Sequence, residues 1–109
     1  MNEIFWYIKQ KWQKLTRGFT DEELWNLDCT FIKWIIPRLK VFKEKTIGYP
    51  PDINSLEEWK EIIQKMIDAF EIYSMDLPEY AYSSSHEEDS KLMKEGFELF
   101  SKYFRNLWW

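Results

Sequence analysis

Apolar positions recur at helical spacing along nearly the whole chain, and they divide it into four segments. From Asn2 to Thr16, Ile4, Phe5, Ile8, Trp12 and Leu15 share one helical face, with basic side chains on the other. Arg17-Gly18 breaks the pattern, and Thr20 followed by Glu23 forms a capping box that starts a second helix. That second segment, Asp21 to about Lys45, carries Leu24, Leu27, Phe31, Ile35 and Phe42 on one stripe, with Trp25, Ile32, Ile36 and Leu39 beside it. So broad a stripe predicts a central helix. Pro37, which lacks an N–H and crowds the preceding turn, predicts a kink near Lys33 and Trp34.

Gly48 and Pro50-Pro51 mark 46–54 as a loop. Ser55 and Glu58 make a second capping box ahead of Trp59, Ile63, Met66, Phe70 and Tyr73, which predict an amphipathic helix to about Ser74. A loop is expected over 75–85. A third capping pattern, Ser85 with Glu88, opens a segment reaching towards Trp108, with Met93, Phe97, Phe100, Phe104 and Leu107 as its stripe. Gly96 costs about 1 kcal/mol in mid-helix relative to Ala, which suggests a place of close packing or ligand approach. No strand-like alternation or internal repeat occurs. The expectation is an all-α, four-helix bundle-like single domain over 1–109, with a Pro-kinked central helix.

Charge refines the picture. The net charge is −4, but residues 20–32 carry only acids, residues 33–45 are basic, and residues 46–98 hold thirteen acids against four bases. Acidic and basic parts can pair within the fold; the sharper alternative is an acidic face that docks on a basic partner. No apolar run is long enough to cross a membrane. The N-terminus carries charge within its apolar stretch and lacks a signal-peptide cleavage pattern, and the lone Cys29 cannot form an internal disulfide, so a cytoplasmic location is expected.

Candidate chemistry is sparse. His86 is the only imidazole, next to an expected helix cap, and there is no Glu-x-x-His pair, phosphate-binding Gly loop or thiol–imidazole pattern. No catalytic residue, metal or cofactor is therefore assigned, and a non-enzymatic protein is expected. Asn26 and Asp28 stand inside the most apolar segment, with Lys33 and Arg38 further along. Burial would oblige Asp28 to find a partner, Arg38 or a backbone donor; the pairing either fixes helix register, or Asp28 and Arg38 line a small polar pocket with Trp25. In the first segment the stripe containing Trp12 is expected to pack on the domain, which leaves Trp6 and Tyr7 as exposed aromatic surface. Such a mixture of aromatic and basic side chains can serve a membrane surface, a nucleic acid or a protein partner, nucleic acid being the least favoured. Trp108 and Trp109 raise the same question, and two aromatic ends favour a homo-oligomer or a partner interface.

The blocks GFTDEELWNLD, IIPRLKVFKE, GYPP, EEWKEIIQKMIDAF and EGFELFSKYFRNLWW resemble a family of small proteins encoded in bacteriophage and prophage genomes. The resemblance covers residues 18–73 and 95–108 and carries no catalytic residue. It implies a phage-encoded accessory protein acting in a bacterial host. Two functions follow as expectations: inhibition of a host defence factor through an aromatic and acidic surface, or sequestration of a small nucleotide signal, with Trp stacking and Lys33 or Arg38 holding phosphate.

Overall fold

A computed structural model describes residues 3–74 and 87–108. The chain is all-α, with α1 Glu3–Arg17, α2 Asp21–Trp25, α3 Leu27–Lys45, α4 Leu56–Ser74, α5 Glu87–Tyr103 and a 3-10 turn, Phe104–Asn106; no strand occurs among the described residues. Two compact units are formed, Met1–Phe31 and Ile32–Trp109, and the division falls inside α3.

In the first unit α1 carries Glu3 in its first turn and Lys14 and Arg17 in its last, complementing the helix dipole. It closes where the Gly18 N–H reaches the Lys14 carbonyl at 3.0 Å, with Gly18 at φ +85°, a conformation that a side chain would strain. The Thr20 capping box is complete: Thr20 Oγ1 accepts from the Glu23 N–H, and the Glu23 carboxylate accepts from the Thr20 N–H at 2.7 Å. The apolar stripe of α1 does not enter a core. Ile4, Phe5, Ile8, Trp12 and Leu15 are 58–86% exposed, while Gln13 is buried. The reason is that α1 meets α2 through its polar face.

A break that the apolar pattern did not signal lies at Asn26, whose φ of −128° and ψ of 60° end α2 after five residues. There the Thr30 hydroxyl donates to the Glu23 carbonyl at 3.0 Å, so an acceptor at the end of α2 keeps a donor. Helix α3 runs on through Pro37. Beside the proline, the Arg38 guanidinium donates to the Trp34 carbonyl at 2.8 Å and stacks over the Trp34 ring at 4.1 Å.

The second unit is organised by α4 rather than by the segment containing Pro37. Trp59, Ile63, Met66, Ile67 and Phe70 of α4 are fully buried, whereas α3 contributes only Ile32 and Leu39 to the buried set. Ser55 caps α4 through the Glu58 N–H at 3.1 Å, and the Glu58 carboxylate takes the Asn54 N–H, one residue earlier than a standard box requires. Helix α5 packs along α4 at Gly96: a Cβ there would fall well inside contact distance of the Ala69 Cβ and 2.5 Å from the Lys65 carbonyl oxygen. Around this point Phe70 meets Phe97 and Phe100 edge-on at 5.0 and 5.1 Å, and Trp59 meets Tyr103 at 5.4 Å. The Tyr103 hydroxyl donates to Asp52 at 2.8 Å, tying the 46–55 connection to α5. The segment expected to continue as helix to Trp108 ends at Tyr103, followed by the 3-10 turn. The capping pattern at Ser85 and the neighbouring His86 lie outside the described residues.

Asp28 is exposed in the first turn of α3, not buried as its apolar neighbours implied. Replacing it by Ala should cost at most about 1 kcal/mol, the scale of a carboxylate at a helix start, rather than the larger loss of a stranded buried ion. Gly96→Ala should lower stability by about 1–2 kcal/mol, because overpacking against Ala69 and Lys65 outweighs the helix propensity gained. Urea denaturation of both variants checks these expectations, and a stabilised Gly96→Ala protein would contradict the close approach.

Candidate functional site

The first unit is held by a polar clasp. The Gln13 side chain pairs with Asp21 twice, its Nε2 donating to Asp21 Oδ2 at 2.7 Å and its Oε1 accepting from the Asp21 N–H at 2.9 Å. Arg17 bonds the other Asp21 oxygen, Lys14 bonds Glu23 at 3.2 Å, and Gln10 donates to Glu22 at 2.9 Å. Lys9 stands 3.6 Å from Asp21. These contacts involve the α1 positions that lie opposite the apolar stripe.

Trp6 belongs to the same side of α1. It lines, with Lys9, Gln10, Gln13, Asp21, Glu22 and Trp25, an open cleft of about 140 Å³. Two indoles, half and three-quarters exposed, therefore share a small cleft with two carboxylates. Gln10 adds an unmet requirement. Its Nε2 is used by Glu22, but its Oε1 is buried without a hydrogen-bond donor among the described residues. Such an acceptor is costly to leave without a donor.

The electrostatics follow from the clasp. Asp21 is held below the ordinary carboxylate range first by the Gln13 hydrogen bond and then by Arg17. Glu23 is lowered first by the Thr20 N–H and then by Lys14. Both stay anionic at neutral pH. The cleft thus offers aromatic surface and carboxylate charge, a combination suited to a cationic group.

A second cleft, of about 270 Å³, lies in the other unit and is lined by Ile47, Gly48, Tyr49, Pro50, Pro51, Asn106 and Trp108. Of the residues singled out by sequence, Trp6 and Trp25 come together and Trp108 stands in this second cleft. Trp12 is on the exposed stripe of α1, and Asn26 forms the α2–α3 break. Lys33 and Arg38 line neither cleft, and Arg38 is engaged by Trp34. Trp109 lies outside the described residues. Sequence reasoning missed Gln10 and Gln13: glutamines on the polar side of an amphipathic helix look like solvent-facing residues, and only the acid cluster 21–23 hinted that this side is covered.

Because the pKa values of Asp21 and Glu23 are lowered in the folded state, their contribution is complete above the unfolded carboxylate value of about 4 and is lost as pH falls through the folded values below it. The α1–α2 clasp should therefore open on acidification below about pH 4, seen as loss of amide protection at residues 10–25 in hydrogen exchange. Gln13→Ala should move that loss to higher pH. Protection unchanged down to pH 2 would show that these carboxylates do not hold the unit together.

Comparison with family models, curated proteins and solved structures finds no match to this chain, so function has to be argued from the site itself.

Proposed function

We propose that this is a non-enzymatic binding protein of phage type, which inhibits a bacterial defence factor by docking on it through an aromatic and acidic surface. The observation that carries the reading is the cleft that Trp6 and Trp25 line together with Asp21 and Glu22. Trp residues concentrate binding energy at interfaces, and they do so most where a neighbouring polar group gains a partner on docking. The matching feature on the target is a basic side chain, Lys or Arg, whose ammonium or guanidinium faces the carboxylates while its stem lies against indole. Phage origin comes from the resemblance of the sequence blocks, and the bacterial cytoplasm follows from that origin.

A small nucleotide signal is the other ligand that the sequence suggested. Its phosphates would meet Asp21 and Glu22 in this cleft rather than Lys33 or Arg38; the one cation lining it, Lys9, stands 3.6 Å from Asp21, and the Trp108 cleft is lined by no cation. Charge therefore favours the protein target.

Expression in bacteria that carry phage defences should raise plating of a restricted phage. Trp6→Ala and Trp25→Ala should each weaken target binding by about 2 kcal/mol, close to thirty-fold, the scale of a buried tryptophan anchor. Affinity capture with quantitative mass spectrometry identifies the protein whose recovery falls in both variants. Full inhibition by the Trp6→Ala, Trp25→Ala double variant, folded by circular dichroism, would remove this cleft from the function.

A further inference from the structure

The cleft of about 270 Å³ in the second unit takes no part in the function proposed above. Its walls are the turn at residues 47–51 and, from the chain beyond α5, Asn106 and Trp108. Both walls are anchored from beneath. Thr46, Pro50 and Ile53 are buried, the Ile53 N–H donates to the Pro50 carbonyl at 3.0 Å, and the Tyr103 hydroxyl holds Asp52 just past the turn. Leu107, between Asn106 and Trp108, donates its N–H to the Phe104 carbonyl at 3.3 Å. No charged side chain lines the cleft. The Tyr49 and Trp108 rings are half and three-quarters exposed, and neither has a ring partner among the described residues. The hydrogen-bonding groups are unevenly used. Among the described residues the backbone N–H groups of Ile47, Gly48 and Tyr49, the Asn106 amide and the Trp108 indole N–H have no acceptor, whereas the Gly48 and Pro50 carbonyls already have donors in the Thr46 hydroxyl and the Ile53 N–H. A Cβ built on Gly48 would meet nothing within 4 Å, so the backbone there stands open.

We propose that this cleft binds a proline-rich segment of a partner protein in the polyproline II conformation. Proline supplies a carbonyl oxygen and no N–H, so a run of prolines is the peptide whose hydrogen-bonding groups mirror walls of free donors. Aromatic-lined grooves are the usual seat of such segments, and their preformed helix loses little entropy on docking, so a shallow cleft is enough. Charge complementarity points the same way. A phosphate, carboxylate or ammonium group would be desolvated here with no counter-charge in the lining, whereas a proline run is uncharged. An amphipathic helix would keep its own carbonyls bonded within itself and leave the N–H groups of 47–49 unanswered. An ordinary extended strand would bring N–H groups of its own to carbonyls already taken at Gly48 and Pro50. The site does not rest on the Trp6–Trp25 cleft.

The experiment titrates the full chain, labelled with nitrogen-15, with a blocked polyproline peptide of about nine residues, three turns of that helix, and with a glycine–serine peptide of equal length. Saturable binding of polyproline with a Kd below about 1 mM is expected, with amide shifts confined to residues 46–52 and 104–108 and no saturation by the glycine–serine peptide. Trp108→Ala should weaken binding at least about ten-fold and Asn106→Ala about five-fold, the scales of an aromatic anchor and of one hydrogen bond. Should Trp108→Ala fail to fold by circular dichroism, Tyr49→Ala takes its place with the same expected loss. Absence of saturable polyproline binding overturns the proposal. Equal affinity for the two peptides, shifts centred elsewhere, or unweakened binding by the aromatic variant does the same. A wild-type dimer that Trp108→Ala makes monomeric assigns the cleft to a second copy and also overturns it.

Discussion

The pairing of Gln13 with Asp21 decides how the first unit presents itself. One amide satisfies both a carboxylate and the backbone N–H of the same residue, at 2.7 and 2.9 Å, and buries Gln13 against α2. Once that side of α1 faces inward, every other property of the unit follows from helical geometry. Trp6 is carried to the α2 side, where it meets the cleft, and Ile4, Ile8 and Leu15 are carried outward. An amphipathic helix ordinarily buries its apolar stripe, and here a set of polar contacts takes precedence locally. The exposed bonds around the pair are individually weak, so the arrangement rests on their number and on the bidentate amide.

The second unit shows the opposite economy. Its stability is concentrated in α4, where Trp59, Ile63, Met66, Ile67 and Phe70 lose essentially all contact with water. The absence of a side chain at Gly96 lets α5 approach closely enough for its phenylalanines to reach Phe70 edge-on. One unit is thus ordered by packing and the other by hydrogen bonds, and the surfaces they leave differ accordingly.

Much of this was legible in the sequence. The three-and-four spacing of Trp59, Ile63, Met66, Phe70 and Tyr73 specified α4 because its period and its burial agree, and Gly96 announced a close approach by occupying a costly position. Thr20 and Glu23 fixed the start of α2 through chemistry local to four residues. Misreadings arose where tertiary context decides. Periodicity cannot tell which side of α1 is covered, since the stripe is the same whether buried or exposed. It also ran across Asn26, where a single residue with non-helical dihedrals breaks the helix without disturbing the apolar pattern on either side. Pro37 drew attention away from Asn26, and α3 continues past the proline as the resumed periodicity implied. Trp6 was recognisable as an unexplained aromatic and Trp25 as a pocket candidate; that they share a cleft with Gln10 depends on the chain doubling back at Gly18, a relation no linear spacing encodes.

The bonds of the clasp are also short in sequence. Gln10 to Glu22 spans twelve residues, Lys14 to Glu23 nine and Gln13 to Asp21 eight, whereas Lys65 to Glu95 spans thirty and Tyr103 to Asp52 fifty-one. Loop-closure entropy grows with the logarithm of that span, and contacts of low sequence separation form soonest. During synthesis the clasp and the Thr30–Glu23 bond have their partners once Thr30 has left the ribosome, long before α5 exists to complete the aromatic cluster around Phe70. Every group of the clasp is thus synthesised well before α5, so its bonds can be made without waiting for the aromatic cluster that orders the rest of the chain.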